Sequence, residues 1–230
     1  MENFILRYHY GIMGLTVARS LCEVLSDRML LLWLLYDALN YKRFGDTKAH
    51  KLTYLSEWNM IDNLEKGFNY DFIKLPYGPY SDQLQNDIVW MEEQKLIDSD
   101  ALDEGKIFCQ TRFGRKILND FSEMFSRNNL FTRRIAAVNR EFARLNSNQI
   151  VRRVHQMPHP YIQTKTIEEL SIGQKILYKL ADEKATAKFV ITPEELATID
   201  VYLDEESYNS FIHASESAKT KPLLRMDEVF

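Results

Sequence analysis

The sequence predicts an α+β fold, mostly α, in which a winged helix-turn-helix-like domain carries a helical extension and an acidic C-terminal segment. Three observations support this prediction. Local signals in the first half of the chain follow the order helix, helix, helix, β-hairpin, helix; the middle of the chain is basic; and its end is acidic. With 230 residues, 45% of them hydrophobic, the chain can bury a core of its own.

The predicted organisation has three parts. Residues 1–156 form the winged-helix-like domain with its basic helical extension, residues 157–166 form a linker, and residues 167–230 form a helical and acidic C-terminal segment. The linker is placed at "MPHPYIQTKT" because two prolines stand there in a stretch without hydrophobic periodicity.

Two helices are predicted at the start of the domain. The longest apolar run, "MLLLWLLY" at residues 29–36, is far shorter than the roughly 18 residues of a membrane span and therefore indicates a buried helix. One candidate break lies at Ser26 and Asp27, either of which could cap this helix. A second helix is expected after it, with Asp46 or Thr47 as its cap.

A short strand and a sharp corner are predicted next. "FNYDFIKL" alternates aromatic residues with others, which is the period of a strand. In the following "PYGPYS", Pro79 or Tyr80 suits the first turn of the next helix, and Ser81 or Gly78 suits its cap. The sequence therefore predicts a strand-to-helix corner. It could be purely structural, or it could present its tyrosines to a partner.

A helix, a hairpin and a further helix complete the predicted domain. Leu84 and the apolar residues four and seven positions later form one buried helix face, so Asp87, Glu92 and Glu93 are predicted to face solvent. "LIDSDALDEGKIFCQT" predicts two strands joined by a bend at its Asp-Glu-Gly. Thr111 is the candidate cap of the helix that follows.

Helical patterns continue after the domain. "LFTRRIAAVNREFARL" predicts a helix rich in arginine, and "IEELSIGQKILYKLADEK" at residues 167–184 is interpreted as one helix or two. From about Thr192 the chain is acidic and carries short apolar islands. The end of the chain is therefore predicted to differ in character from the domain before it.

Charge is distributed unevenly along the chain. Residues 112–153 contain ten basic residues against three acidic ones, whereas residues 192–230 contain nine acidic residues against three basic ones. The basic stretch has three interpretations: a solvated helix face, a surface that holds the acidic tail, or a surface that binds DNA phosphates. For the last of these, the predicted DNA-binding residues are Arg112, Arg115, Lys116, Arg133, Arg134 and Arg140.

The sequence offers little that indicates catalysis or metal binding. Cys22 and Cys109 lack metal or redox spacing and suit a reducing cytoplasm. His155 and His159 are four positions apart, but Pro158 stands between them, so they do not form a helical zinc pair. Secretory signals, phosphate-cradling glycine loops and recognisable nucleophile motifs are not seen. We therefore expect a cytoplasmic protein that is not an enzyme and that holds no metal and no cofactor.

A set of motifs between residues 28 and 125 carries a family resemblance. They are Lys51 and Leu52, Tyr54 and Leu55, the aromatic Tyr70 and Phe72, the turn Tyr77, Gly78, Pro79 and Tyr80, and Leu96 and Ile97 before the predicted wing. In this order they resemble the Panacea, or SocA-like, antitoxin domain and related phage-associated proteins. "TRFGRKIL" is similar to the family's Thr-x-x-Gly start of the helix after the wing. The resemblance implies a compact winged-helix-like α+β domain, and family members that are antitoxins neutralise a neighbouring toxin by direct binding.

The C-terminal tail has the composition of a segment that folds on a partner, with acids for a basic toxin and spaced apolar anchors. The alternative is a helix that completes the domain. The predicted partner-binding residues are Tyr77 and Tyr80 in the corner, and Tyr202, Tyr208, Phe211, Leu223, Leu224 and Phe230 in the tail.

These observations predict an antitoxin-like protein that neutralises a toxin by direct protein contact and could repress its own operon by binding double-stranded DNA. The alternative prediction is a winged-helix transcriptional regulator without a toxin partner. Contact with a membrane is not expected, and a homo-oligomer is left open.

Overall fold

Nine α-helices and seven short strands make up the described part of the protein, a computed structural model in which residues 18–102, 105–162 and 164–220 are described. The helices are α1 (Leu21–Leu39), α2 (Asp46–Asp62), α3 (Asp82–Glu93), α4 (Arg112–Asp120), α5 (Ser122–Arg127), α6 (Asn129–Phe142), α7 (Ser147–His155), α8 (Pro193–Tyr202) and α9 (Glu205–Thr220). The strands are β1 (Glu65–Lys66), β2 (Phe72–Leu75), β3 (Gly78–Tyr80), β4 (Ile97–Leu102), β5 (Gly105–Gln110), β6 (Lys175–Leu177) and β7 (Ala187–Lys188). This confirms the predicted α+β, mostly helical class.

Helix α1 forms the centre of the core and is continuous. It begins after Ser20, whose hydroxyl accepts a hydrogen bond from the Glu23 amide while the Glu23 carboxylate accepts one from the Ser20 amide. The predicted break at Ser26 and Asp27 is wrong. Both side chains are buried inside the helix, and Asp27 accepts a hydrogen bond of 2.7 Å from the Asn69 amide instead of capping a helix end.

Helix α2 begins at Asp46, with Gly45 rather than Asp46 or Thr47 at the cap position. Gly45 has no side chain to accept a hydrogen bond, so the predicted cap is wrong. The physical reason is a close approach: a Cβ atom on Gly45 would lie 2.1 Å from the carbonyl oxygen of Lys106. Only glycine leaves room for that strand at the start of the helix.

The predicted strand-to-helix corner is in fact a tight β-turn between two strands. The predicted strand over residues 68–75 is shorter than expected, and it pairs in antiparallel register with β3, so that Ile73 lies opposite Tyr80 and Lys74 opposite Pro79. Pro79 and Tyr80 are therefore strand residues, and their predicted place in the first helical turn is wrong. Ser81 does cap α3, because its hydroxyl accepts from the Leu84 amide at 3.3 Å.

The predicted hairpin and the helix after it are confirmed. Strands β4 and β5 pair from Ile97 with Gln110 to Leu102 with Gly105. The Thr111 hydroxyl then accepts a 2.9 Å hydrogen bond from the Gly114 amide and caps α4. The two bend residues before Gly105 lie outside the described residues.

The chain after residue 166 does not form the predicted helices over residues 167–184, and that prediction is wrong. Strand β6 pairs with β2 instead, and it completes the sheet order β3-β2-β6. Gly173 takes a positive φ of 83°, which turns the chain so that its amide donates to the Lys74 carbonyl at 2.8 Å. Ile176 and Leu177 are then buried in the core.

The predicted linker, residues 157–166, lies between helix α7 and strand β6, which pairs with β2. Pro158 and Thr166 form an isolated antiparallel bridge, and His159 is buried. The His159 Nδ1 atom accepts hydrogen bonds from the amides of Tyr161 and Ile162 at 3.1 and 3.0 Å. Further on, β7 pairs in parallel with β1, and the acidic segment forms α8 and α9. Among the described helices, none combines the length and the apolar character that crossing a membrane requires.

Candidate partner-binding surface at the Tyr77 corner

The turn between β2 and β3, called the Tyr77 corner (residues 76–81), exposes one aromatic ring over a buried backbone. The Tyr77 residue is 69% exposed, whereas Gly78 and Pro79 beside it are buried. Gly78 has a φ of 95°, a left-handed conformation that favours glycine and that aims the chain back along β2. The corner therefore presents Tyr77 on a backbone that the fold holds in place.

A buried lysine supports the corner from behind. Lys51, on α2, is only 2% exposed, and its Nζ atom donates a 2.8 Å hydrogen bond to the Pro79 carbonyl oxygen. Burial, together with the nearby charge of Lys74, lowers the pKa of the Lys51 ammonium group to about 7. The backbone at Pro79 is thus tied to the middle of a core helix.

His50 holds the second tyrosine of the corner. The His50 and Tyr80 rings stack with centroids 4.5 Å apart, and His50 Nδ1 accepts from the Ser81 amide at 3.3 Å. The other ring nitrogen is therefore the protonated one, and it donates to the Gln85 side chain at 3.1 Å. Burial and the charge of Lys51 lower the pKa of His50 to about 3. One face of Tyr80 is consequently occupied within the fold, unlike Tyr77.

Helix α7 borders the corner on the other side. A Cβ atom on Gly78 would lie 3.1 Å from His155 Nε2, and this nitrogen is 3.2 Å from Lys74 Nζ. Arg152 precedes His155 by three positions, which places the two on the same side of the helix. Arg152 and the adjacent Arg153 are exposed. The surroundings of Tyr77 are therefore basic.

The six predicted DNA-binding residues are distributed over α4 and α6. Three of them have partners within the chain: Arg115 donates to the Gln110 side chain, Lys116 lies 3.7 Å from Asp120, and Arg134 makes two hydrogen bonds of 2.9 and 2.7 Å to Glu65. The other three, Arg112, Arg133 and Arg140, are exposed and make no ion pair with any residue that the structure describes.

The helix before the hairpin has the wrong charge for the usual winged-helix mode of DNA binding, in which that helix enters the major groove. Three acids besides the buried Asp87, and no basic residue, lie on α3: Asp82, Glu92 and Glu93. The described part of the hairpin adds Asp98 and Asp100 against Lys106. Phosphates would be repelled here, so contact with DNA would have to use α4 and α6.

The predicted tail anchors separate into buried and exposed residues. Tyr208 is 3% exposed; its ring lies 5.5 Å from that of Phe113 and 5.0 Å from that of Tyr202, and its hydroxyl is 3.3 Å from Asp120. Phe211 is 49% exposed. Tyr208 therefore attaches α9 to α4, whereas Phe211 remains accessible. The other predicted anchors, Leu223, Leu224 and Phe230, lie outside the described residues.

Two acids after Thr192 pair with basic residues earlier in the chain. Glu195 accepts two hydrogen bonds from Arg127 at 2.6 and 2.5 Å, and Glu205 accepts one from Lys95 at 2.6 Å. Arg127 belongs to the basic stretch, so part of that stretch holds part of the acidic segment.

Sequence reasoning missed a buried network of charged residues, here called the aspartate network (Arg19, Asp27, Arg28, Tyr70 and Asp87). Asp87 was predicted to face solvent, and this is wrong: it is 2% exposed. Its carboxylate accepts from Arg19 at 2.7 Å, from Tyr70 at 2.9 Å and from Arg28 at 3.1 Å. Arg19 also donates to Asp27 at 2.7 Å. Helical periodicity alone could not identify partners that lie 17 to 68 positions away.

Over residues 18–102, 105–162 and 164–220, no group of three or more His, Cys, Asp or Glu side chains could hold a metal ion. His155 and His159 have the separate partners given above.

Comparisons with known proteins identify no family for this chain. The chain matches no protein-family model, and searches of curated proteins and of solved structures find no significant match. The resemblance to the Panacea domain accordingly depends on the motif residues alone.

Proposed function

We propose that this chain is an antitoxin-like binding protein that neutralises a toxin by direct protein contact. Its core, in this proposal, is a winged-helix-like arrangement of α1, α2, α3, the β4–β5 hairpin and α4, as in Panacea-type domains. The observation that carries the proposal is the exposed Tyr77 ring on a buried, tightly held corner.

The physical argument concerns the cost of binding. A tyrosine side chain has only two side-chain torsions, so it buries a large area at a low cost in conformational entropy. Lys51 and Gly78 hold the backbone beneath Tyr77, so the loop itself does not have to be ordered on binding. Tyrosine and arginine are enriched at binding hot spots, and Arg152 and Arg153 are exposed on the adjacent helix.

The corner is favoured over the tail as the principal contact. Tyr208 is buried against Phe113 and Tyr202, so using it as an anchor would require α9 to leave α4. Tyr77 needs no such rearrangement. Phe211, the exposed anchor of α9, is a secondary contact in this proposal.

The test is co-expression of the full chain with the products of adjacent genes, with two readouts: rescue of growth from a toxic product and copurification with that product. Tyr77→Ala should abolish rescue and lower the recovered toxin at least tenfold. Tyr161→Ala removes another tyrosine, 52% exposed, and should behave like the wild type. Phe211→Ala, at the exposed tail position, should keep copurification, because the corner remains.

The opposite pattern would contradict the proposal: binding retained by Tyr77→Ala and lost by Phe211→Ala. The absence of any toxic neighbour whose growth inhibition the wild type relieves would also contradict it.

A second candidate function is supported by the arginines without ion pairs on α4 and α6. In this alternative the chain is a DNA-binding regulator, and Arg112, Arg133 and Arg140 contact phosphates. Three such contacts predict a decrease in the logarithm of the binding constant with the logarithm of salt concentration, with a slope of roughly −2.7. Arg133→Ala and Arg140→Ala should each reduce this slope by about 0.9. Absence of duplex binding at low salt would exclude the regulator.

A further inference from the structure

Three basic side chains converge beneath the Tyr77 corner: Lys51, Lys74 and His155, here called the basic cluster. They surround Gly78. A Cβ atom at that position would lie 3.1 Å from His155 Nε2 and 3.5 Å from Lys51 Cε, and Lys74 Nζ lies 3.2 Å from His155 Nε2. Because position 78 is glycine, the space between the three groups is not filled by a side chain.

The two lysines are buried without a counter-charge. Lys51 and Lys74 are 2% and 4% exposed, and neither makes an ion pair with a described residue. Lysine is almost never buried to this extent unless it is paired. Lys51 uses one of its three N–H groups, for the Pro79 carbonyl oxygen. The other donors of Lys51 have no protein acceptor among the residues that the structure describes.

No acid that the structure describes makes an ion pair with the cluster, although the charge of one acid acts on it. Burial lowers the pKa of Lys74, and burial together with the charge of Lys74 lowers the pKa of His155. One carboxylate, that of Glu168, opposes both shifts from a distance. Glu168 is exposed, and the contact it makes with the cluster is through its backbone, whose amide donates to the His155 carbonyl at 3.0 Å.

We propose that the basic cluster is an anion site that receives a carboxylate side chain of the partner protein next to Tyr77. This inference depends on the proposed function and specifies the chemistry of the partner: an Asp or Glu adjacent to the apolar surface that covers Tyr77. A carboxylate accepts up to four hydrogen bonds, which matches the free donors of Lys51 and Lys74 and a protonated His155.

A protein carboxylate fits this site better than a DNA phosphate. Both lysines are buried, and a Cβ atom at position 78 would already lie 3.1 Å from His155 Nε2, so the room beside Gly78 is narrow. A narrow approach to recessed lysines disfavours a rigid duplex more than a single carboxylate group. The nearby α3 is also acidic, which opposes the approach of a duplex. The experiment therefore has to distinguish binding of DNA at the cluster from binding of a carboxylate.

The test uses the full chain, with sodium acetate as the carboxylate probe, and inorganic phosphate and a short DNA duplex as separate arms at constant ionic strength. Nuclear magnetic resonance reports the His155 ring and the Lys51 and Lys74 ammonium groups. Acetate should shift these signals in a saturable way and raise the pKa of His155. Lys74→Gln should weaken acetate binding at least tenfold. Lys165→Gln, which changes an exposed lysine, should leave it unchanged.

Circular dichroism checks that each variant folds, and His155→Gln replaces Lys74→Gln if the latter does not. Acetate that fails to saturate, or that binds Lys74→Gln as well as the wild type, would overturn the anion site. Displacement of acetate by the duplex would overturn its assignment to a protein carboxylate. Acetate binding without capture of a toxin would contradict the proposed function but support the site. Toxin capture without acetate binding would support the function and contradict the site.

Discussion

Two buried charged regions of this protein differ in how their charges are balanced. In the aspartate network, two arginines face two aspartates, and each carboxylate accepts hydrogen bonds from charged or polar donors. On α2, by contrast, Lys48, Lys51 and Glu57 are buried without an opposite charge within ion-pair distance in the described chain. The charges of the aspartate network stabilise the fold, whereas the cost of burying the charges on α2 is not offset by opposite charges.

The α2 groups are themselves unequal. Lys48 Nζ donates to the carbonyls of Ala143 and Leu145 at the end of α6, a position where a cation is favourable. Lys51 has the Pro79 carbonyl. Glu57 is 1% exposed, and neither of its carboxyl oxygens has a hydrogen-bond partner among the residues that the structure describes. Lys48 thus has a structural role. Lys51 and Glu57 are the groups of this helix at which binding of a ligand or of a proton should stabilise the protein most.

The largest expected effect is in the aspartate network. Asp87→Ala removes the buried carboxylate that Arg19 and the part-buried Arg28 share, and removing one partner of a buried ion pair costs about 3 to 5 kcal/mol. We expect this loss in the free energy of unfolding, measured by urea denaturation. Glu93→Ala, an exposed change on the same helix, should alter it by less than about 0.5 kcal/mol. Equal effects would mean that the network does not stabilise the fold.

Removing the charge of Glu57 should have the opposite effect and raise the free energy of unfolding. Burial and the charges of Asp27 and Asp71 raise the pKa of Glu57 well above its ordinary value. Above about pH 4.5 the unfolded chain loses this proton while the folded chain keeps it, so stability falls as the pH rises towards the folded pKa. Glu57→Gln cannot lose a proton, and it should be more stable than the wild type by about 1 to 3 kcal/mol at pH 7.

The gain should vanish near pH 4, where the carboxyl group is protonated in both states. Asp62→Asn, at the exposed end of the same helix, serves as the control and should change neither the stability nor its pH dependence. A Glu57→Gln variant that is less stable than the wild type at pH 7 would show that the carboxylate has a partner in solution.

The corner gives the third comparison, because two glycines share a positive φ but differ in surroundings. Gly78 has His155 and Lys51 close by, whereas a Cβ on Gly105, with a φ of 120°, would have no described atom beyond its chain neighbours within 4 Å. Gly105→Ala should lose about 1 kcal/mol from backbone strain alone. Gly78→Ala adds the contact with His155 and should lose about 2 kcal/mol in the same thermal-unfolding measurement. Equal losses would show that His155 moves aside freely.

Predictions from the sequence were correct for elements that depend on nearby residues. They were wrong where contacts with distant residues determine a helix cap or a helix boundary. The buried face of α3 and the Thr111 cap follow from spacings of three to seven positions, and both are present. The cap at Gly45 depends on the carbonyl of Lys106, and the continuity of α1 depends on Asn69 as the partner of Asp27. At the candidate site, the sequence singled out Tyr77, but it could not show that buried lysines lie beneath it.

The smallest expected effect is at an exposed ion pair, and it tests whether burial, rather than pairing, makes the aspartate network strong. Lys95 and Glu205 are 2.6 Å apart, with side chains 72% and 33% exposed. Lys95→Met should lower the free energy of unfolding only slightly at low salt and less at high salt, because water and ions screen exposed charges. A double-mutant cycle with Glu205→Gln, measured by urea denaturation, isolates the pair from other effects of each change. A coupling energy close to that of Asp87 with Arg28 would mean that pairing alone stabilises this protein. A coupling energy near zero would mean that aromatic packing of Tyr208, rather than this ion pair, holds α9 in place.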